Sequence, residues 1–357
     1  AYEIKECDWS SDVCSSDLMS QVPRADVDPV LLTSFDISPT DRVATAGSCF
    51  AQHIARTLRR EGFAYWVVDD QPALPEAERE RRQFGVFSAR YGNLYTARQL
   101  VQLFDRAHDA LRPLDSAWRR ADGRYVDPFR PQIEPGGFHA PTDVEQARAH
   151  HLADVRRMFS ELDVFVFTLG LTEAWRRRED GMVFPLAPGV AGGQFDPALY
   201  EFINFDANEV RADMLGFVRR LRGVNPGARV ILTVSPVPLI ATYEDRHVLV
   251  STAYSKAALR VAAGQVSDAE PQVDYFPSFE IITGPHAGAD YFEADRRSVS
   301  AAGVDHAMRV FMSHYARGAH RTAARSDIVD TTALAAEQAR LADVICDEEA
   351  IDRHRGG

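Results

Sequence analysis

Lysine is almost missing from this 357-residue chain: Lys5 and Lys256 are the only two among 40 basic residues, against 52 acidic ones. The formal net charge of -12 excludes the overall basic footprint that nucleic-acid binding asks for. Cysteine is also scarce. Cys7, Cys14, Cys49 and Cys346 show no paired spacing, which excludes both a disulfide framework and a zinc knuckle. No apolar run reaches the 18 or so residues of a membrane span, and nothing after Met19 has the basic-then-apolar form of a signal peptide. No cluster of His, Cys or Asp has ligand spacing, and no internal repeat or low-complexity tract stands out. These absences lead to the expectation of a cytoplasmic protein with no metal, no other cofactor, and no nucleic-acid or membrane partner.

The first 18 residues stand apart. Ala1 to Leu18 contains no arginine and holds Lys5, Cys7 and Cys14, and its run Asp8-Trp9-Ser10-Ser11-Asp12-Val13-Cys14-Ser15-Ser16-Asp17-Leu18 looks like translated sequencing-adapter DNA. The natural protein is therefore expected to start at Met19; the alternative is a disordered extension. The leader's five acids and one lysine account for -4 of the charge, which leaves -8 on the remainder. Residues 19–320 are expected to form one α/β domain and 321–357 a helical tail, with a polar-faced helix over 326–353.

What is present is an alternation. Short apolar runs at 43–46, 63–68, 164–169, 230–235 and 273–276 predict buried parallel strands. Helical patterns fall between them at 51–61, 96–107, 143–162, 207–222, 255–265 and 299–315. Such alternation predicts a parallel sheet covered on both faces by helices, with the ligand crevice at the carboxyl ends of the strands. Gly47-Ser48, Gly170-Leu171-Thr172-Glu173 and Ser235-Pro236-Val237-Pro238 each follow a predicted strand, so all three converge on that edge. Residues 108–142 and 180–205 are too long for simple connectors and are either lids or packed surface loops.

Ser48 lies where the first strand breaks into a helix. Unpaired N–H groups and the helix dipole at such a point favour an alkoxide or oxyanion, as a serine nucleophile requires. The plainer role is that of a helix N-cap, for which serine is a preferred residue.

The run Gly47-Ser48-Cys49-Phe50-Ala51 resembles the signature of the GSCFA-domain family. Further blocks match in order: Phe87 to Thr96, Asp127-Pro128-Phe129-Arg130-Pro131, Phe167 to Trp175, Thr233 to Pro238, and His247-Val248-Leu249-Val250 leading to Tyr254-Ser255-Lys256. They extend over roughly residues 40 to 315. That family is similar to the SGNH (GDSL-like) hydrolases, which implies a flavodoxin-like α/β/α sandwich and ester chemistry.

By this resemblance Ser48 is the nucleophile and its own N–H an oxyanion donor. Gly92 is the second donor, glycine letting the chain approach closely. Asn93 either adds a side-chain donor or is a turn residue. Thr172 stands where related enzymes carry an oxyanion asparagine, and Glu173 either orients the neighbouring loop or caps a following helix. Asp295 belongs to the segment Asp295-Arg296-Arg297-Ser298, which has serine where the family pattern of the SGNH enzymes has the catalytic histidine. Either the base comes from elsewhere or the site is not a hydrolase; for the base, His247, at the catalytic edge, ranks first, followed by His286. His306 is expected to face solvent, about 200° round its helix from Val304, and His53, about 140° from Ser48, is not expected to touch it. Cys49 is expected to pack rather than react. Arg130, Tyr254 and Lys256 are candidates for substrate binding, as cations for an anionic group or as helix caps. The expected activity is a serine esterase that removes an O-acyl group from a small-molecule or carbohydrate ester through acyl-Ser48. An O-acyltransferase or a non-catalytic ligand-binding module on the same scaffold are the alternatives.

Overall fold

A computed structural model describes residues 22–288 and 290–316 of the chain. The expected leader and tail helix lie outside these described residues. Four strands, β1 (Val43–Gly47), β4 (Val164–Leu169), β8 (Arg229–Val234) and β9 (Val273–Phe276), form an all-parallel sheet in that spatial order. Their side chains alternate between two cores, as the period of two in a strand requires. Phe165, Phe167, Val230 and Leu232 point to one face, where they pack with α3 (Ala97–Ala107), α4 (Pro141–Glu161), α5 (Ala207–Val224) and α6 (Val248–Ala269). Val43, Val164, Val166, Ile231 and Phe276 point to the other, against α1 (Ala51–Arg60), α7 (Ser278–Thr283) and α8 (Ala301–Tyr315). The result is the expected three-layer α/β/α sandwich. Each fully buried phenylalanine of this interior contributes about 1.5–3 kcal/mol.

The expected strand over 63–68 reduces to a single parallel bridge, Tyr65 to Val43. Val43 N–H donates to Ala64 O and Trp66 N–H to Val43 O, after which the chain turns away and Val68 N–H donates to Ser88 O. The bridge still sets the order: segment 65, β1, β4, β8, β9 is the doubly wound arrangement whose switch point lies between β1 and β4. Ser48 follows β1 at that point.

Both long insertions are packed, and they pack together. Residues 108–142 carry the hairpin of β2 (Trp118–Arg119) and β3 (Tyr125–Val126). An antiparallel sheet of β6 (Val183–Phe184), β5 (Glu173–Arg177) and β7 (Tyr200–Asn204), in that order, covers the second. Trp118, Val126, Phe129, Met182, Phe184 and Tyr200 make their shared core. A short α2 (Glu76–Arg81) and a 3-10 turn at Arg24–Asp26 complete the elements of the described residues.

One histidine departs from expectation. His306 is 1% exposed, because the extended segment before β1 covers the face of α8 that helix periodicity alone leaves to solvent. Its Nε2 donates to Val27 O at 2.8 Å, and its Nδ1 accepts from Tyr291 OH at 2.8 Å; burial lowers its pKa, so the ring is neutral. Helix α6 begins at Val248, seven residues before the predicted start, with His247 as its cap.

Candidate active site

Gly47 ends β1 with φ +128°, and a Cβ there would lie 2.2 Å from Thr168 O, so only glycine lets β1 pass this close to β4. Ser48 N–H then donates to Thr168 O at 3.1 Å. The helix does not begin at Ser48: α1 starts at Ala51, its N-cap is Phe50, and no side chain caps it. Bonds from Ala51, Gln52 and His53 N–H to the carbonyls of Ser48, Cys49 and Phe50 close the first turn. The plain capping role for Ser48 is therefore vacant. Its side chain is 4% exposed, and among the described residues its Oγ has no hydrogen-bond partner. A buried hydroxyl left unbonded costs about 1–3 kcal/mol, which marks it as a group held for something else.

Four chain segments meet the Ser48 turn over that hydroxyl. Residues Ser48, Cys49, Tyr95, Gly170, Leu171, Ser235, Val237 and Arg297 enclose a cavity of about 10 Å³, the room one water needs. The convergence of the β1, β4 and β8 ends on one edge is as the sequence indicates. Tyr95 is fixed by the capping box of α3, where Gln99 Oε1 accepts from Tyr95 and Thr96 N–H at 3.0 and 2.9 Å. Its carbonyl accepts from Gly170 and Leu171 N–H at 3.0 and 2.9 Å, pinning the loop after β4. Gly170 has no room for a side chain, since a Cβ would sit 3.1 Å from Ser48 Cβ and 3.2 Å from Tyr95 O. Lys256, 3% exposed, donates from Nζ to Gly170 O at 2.8 Å, and Ser255 Oγ accepts from Thr172 N–H at 3.1 Å. Helix α6 thus holds the wall of the cavity from behind.

The other expected residues fall at varying removes. Thr172 is fully buried behind Leu171, and its Oγ1 has no partner among the described residues. Gly92 holds φ +73° and Asn93 is buried, yet from their block only Tyr95 reaches the cavity. No helix follows Glu173, which instead opens β5. Its carboxylate accepts from Thr242 Oγ1 at 2.6 Å and Tyr243 N–H at 3.3 Å, orienting a loop, and burial raises its pKa. Arg130 is 4% exposed and donates to Asp127 at 3.0 Å, in a buried network with Arg148. Tyr254 packs under the guanidinium of Arg246 at the start of α6.

His247 is exposed and accepts at Nδ1 from Leu249 N–H at 3.2 Å, capping α6. His286 donates from Nε2 to Ile281 O at 3.0 Å, close by in its own chain segment. His53 packs its ring on Phe50 and is held neutral, with a pKa lowered to about 3 by burial and then by Arg56. Among the described residues, no imidazole or carboxylate lines the Ser48 cavity. Asp295 instead serves its own turn: it accepts from Arg297 and Ser298 N–H at 2.9 Å each and from Ser298 Oγ at 2.6 Å. Burial alone would raise its pKa, but these hydrogen bonds outweigh it and hold the carboxyl below its usual range. That turn presents Arg297 to the cavity. Arg297 and Tyr95 line the cavity without a sequence expectation pointing to them; the signal for Arg297 is its place beside Ser298, at the position next to the absent histidine.

The GSCFA family model matches residues 42–311, about three quarters of the chain. The chain belongs to the GSCFA family. A comparison with curated proteins finds no match. The span takes in every element of the sandwich from β1 to most of α8, so the Ser48 cavity is part of the GSCFA unit itself. No helix of the described residues is long and apolar enough to cross a membrane. A separate cleft of about 1220 Å³ lies between the β2–β3 hairpin and residues 189–194 and shares no residue with the Ser48 cavity.

Proposed function

We propose that this GSCFA chain removes a short O-acyl group from a carbohydrate hydroxyl through an acyl-Ser48 intermediate, the chemistry of the SGNH hydrolases its sequence resembles. The observation that carries the proposal is the Ser48 Oγ: buried, not used as a cap, without a partner among the described residues, and opening into a cavity at the switch point of the sheet. A cavity with the room of one water must widen to admit even an acetyl group, which favours that over a long chain. In the first step Ser48 Oγ bonds to the acyl carbon, the alcohol oxygen departs, and the Oγ proton passes to it. In the second, water bonds to the same carbon, the carboxylic acid leaves, and Ser48 Oγ regains a proton. Because Ser48 N–H is bonded to Thr168 O, the task of stabilising the oxyanion falls to Arg297, a role worth about 10²–10³ in rate for one donor.

Without an imidazole at the nucleophile, turnover should be slower by about the 10²–10⁴ that general base catalysis provides. His247 can serve as that base only if the 238–247 loop carries it to the cavity. The transferase form of the reaction passes the same acyl group to a sugar hydroxyl instead of water. A non-catalytic binding pocket is the second reading, and the cavity's lack of imidazole and carboxylate favours it. Hydrolysis of p-nitrophenyl acetate by the purified protein separates the two. Release that disappears in Ser48→Ala and falls about 10²-fold in Arg297→Gln supports the esterase. Equal release from wild type and Ser48→Ala supports the binding pocket.

A further inference from the structure

Beside the Ser48 cavity, the sheet β6–β5–β7 carries a group of aromatic rings that the sandwich core does not absorb. Trp175 and Phe202 face each other across one rung, and Glu173 and Asn204 two rungs on, on the same face of the sheet. Tyr243 and Phe195 close on Trp175 at centroid distances of 4.9 and 5.1 Å, with interplanar angles of 85° and 77°. Both remain well exposed, at 42% and 43%, so they form a stepped aromatic surface open to solvent.

Its place in the chain ties it to the site. Leu171 lines the cavity, and Trp175 is four residues further on, at most roughly 14 Å away along an extended strand. Polar groups line the near end of the rings. Asn204 Nδ2 donates to Glu244 at 2.9 Å, while its Oδ1 is buried and has no donor among the described residues. Exposed rings that meet at angles, beside a Glu244 carboxylate that Asn204 orients and that stays about one third exposed, match a pyranose ring: its C–H face packs on aromatic carbon and its hydroxyls bond at the edge.

We infer that the Trp175–Phe202–Tyr243–Phe195 surface is a subsite for a sugar ring of the molecule whose acyl group enters the Ser48 cavity. This rests on the acyl-ester reading of Ser48 for its catalytic consequence, but not for binding itself. The substrate is then an O-acylated oligosaccharide or polysaccharide, with an unmodified sugar unit held on the rings and the partly exposed Glu244 carboxylate accepting from one of its hydroxyl or amide groups.

Saturation-transfer NMR on Ser48→Ala protein tests this without turnover, using cellotriose, chitotriose and mannotriose as probes and hexaethylene glycol as control. At least one trisaccharide should receive saturation, and its affinity should fall about tenfold in Tyr243→Ala and in Phe195→Ala, the effect of truncating one aromatic anchor. Tyr243→Phe should restore it. Circular dichroism confirms that these exposed positions tolerate the changes. No transfer to any of the three sugars, or equal transfer in the two alanine variants, overturns the subsite. A dimer in sedimentation that Tyr243→Arg dissociates also overturns it, by giving the rings to self-association. Ring-dependent sugar binding in a protein whose wild type fails to release p-nitrophenol sustains the subsite while rejecting the esterase.

Discussion

Replacing Asp127 by asparagine removes one charge from the most tightly balanced point of the interior. Asp127 is 2% exposed and accepts from Arg130 Nε at 3.0 Å, from Arg148 at 2.8 Å and from Phe129 N–H at 3.1 Å. Arg106, also buried, stacks on the Phe129 ring at 4.0 Å and feels the same carboxylate; burial lowers its pKa to about 9. Burial alone would raise the Asp127 pKa, but Arg148 and Arg130 outweigh it and hold the carboxyl well below its usual range. Asparagine keeps the shape and leaves these guanidinium groups without their counter-charge. Breaking a buried pair from one side costs about 3–5 kcal/mol, so urea unfolding followed by circular dichroism should show a midpoint lower by roughly 1 M or more at unchanged slope. The sign with pH follows from the depressed carboxyl. Its stabilisation is present above the unfolded value of about 3.9 and lost as pH falls through the folded value, so the variant should lose part of the wild-type acid sensitivity. Arg130 also donates to Arg90 O at 3.4 Å, at the head of the block that supplies Tyr95 to the cavity. A loss below about 1 kcal/mol, within the range of ordinary surface substitutions and exposed ion pairs, would refute this reasoning.

Other perturbations test the wall of the cavity and the covering segment. Gly170→Ala should displace Ser48 and lower stability by about 1–3 kcal/mol, the usual range for overpacking, measured by thermal unfolding. Lys256→Met removes the donor to Gly170 O and should cost about 1–3 kcal/mol for the buried carbonyl left behind; p-nitrophenyl acetate turnover should fall with it. His306 has a lowered folded pKa, so the unfolded chain takes up a proton near pH 6.5 that the folded chain refuses, and stability drops as pH falls through that range. His306→Gln should flatten that part of a denaturation-against-pH series.

Much of this arrangement is legible in the residues alone, because the strongest signals are local. The runs Val164 to Leu169 and Val230 to Val234 are apolar but for one threonine each, Thr168 and Thr233, as strands buried on both faces tend to be, and the turns that follow them supply the cavity. What escaped is what depends on distant partners. Tyr65 reads as a strand residue, but only Val43 is there to pair with it. Strands β5 and β7 mix charged, aromatic and small or aliphatic residues in a half-exposed sheet, so Glu173 to Arg177 carries no core signature. His306 lies on the polar side of its helix by periodicity and is buried only because the segment containing Val27 crosses over it. Arg297 is brought to Ser48 by a turn that Asp295 organises, a contact that sequence spacing does not encode. The cavity at Ser48 was therefore predictable in place but not in its charge.

The central claim is that Ser48 is an activated nucleophile. Treatment of the purified chain with a fluorophosphonate, followed by mass spectrometry of the digest, tests it most directly, since a reactive serine forms an Oγ–phosphorus bond as fluoride leaves. The account predicts an adduct on Ser48, absent from Ser48→Ala and diminished in Arg297→Gln. Folded protein that acquires no adduct, or acquires it equally on other serines, would contradict it.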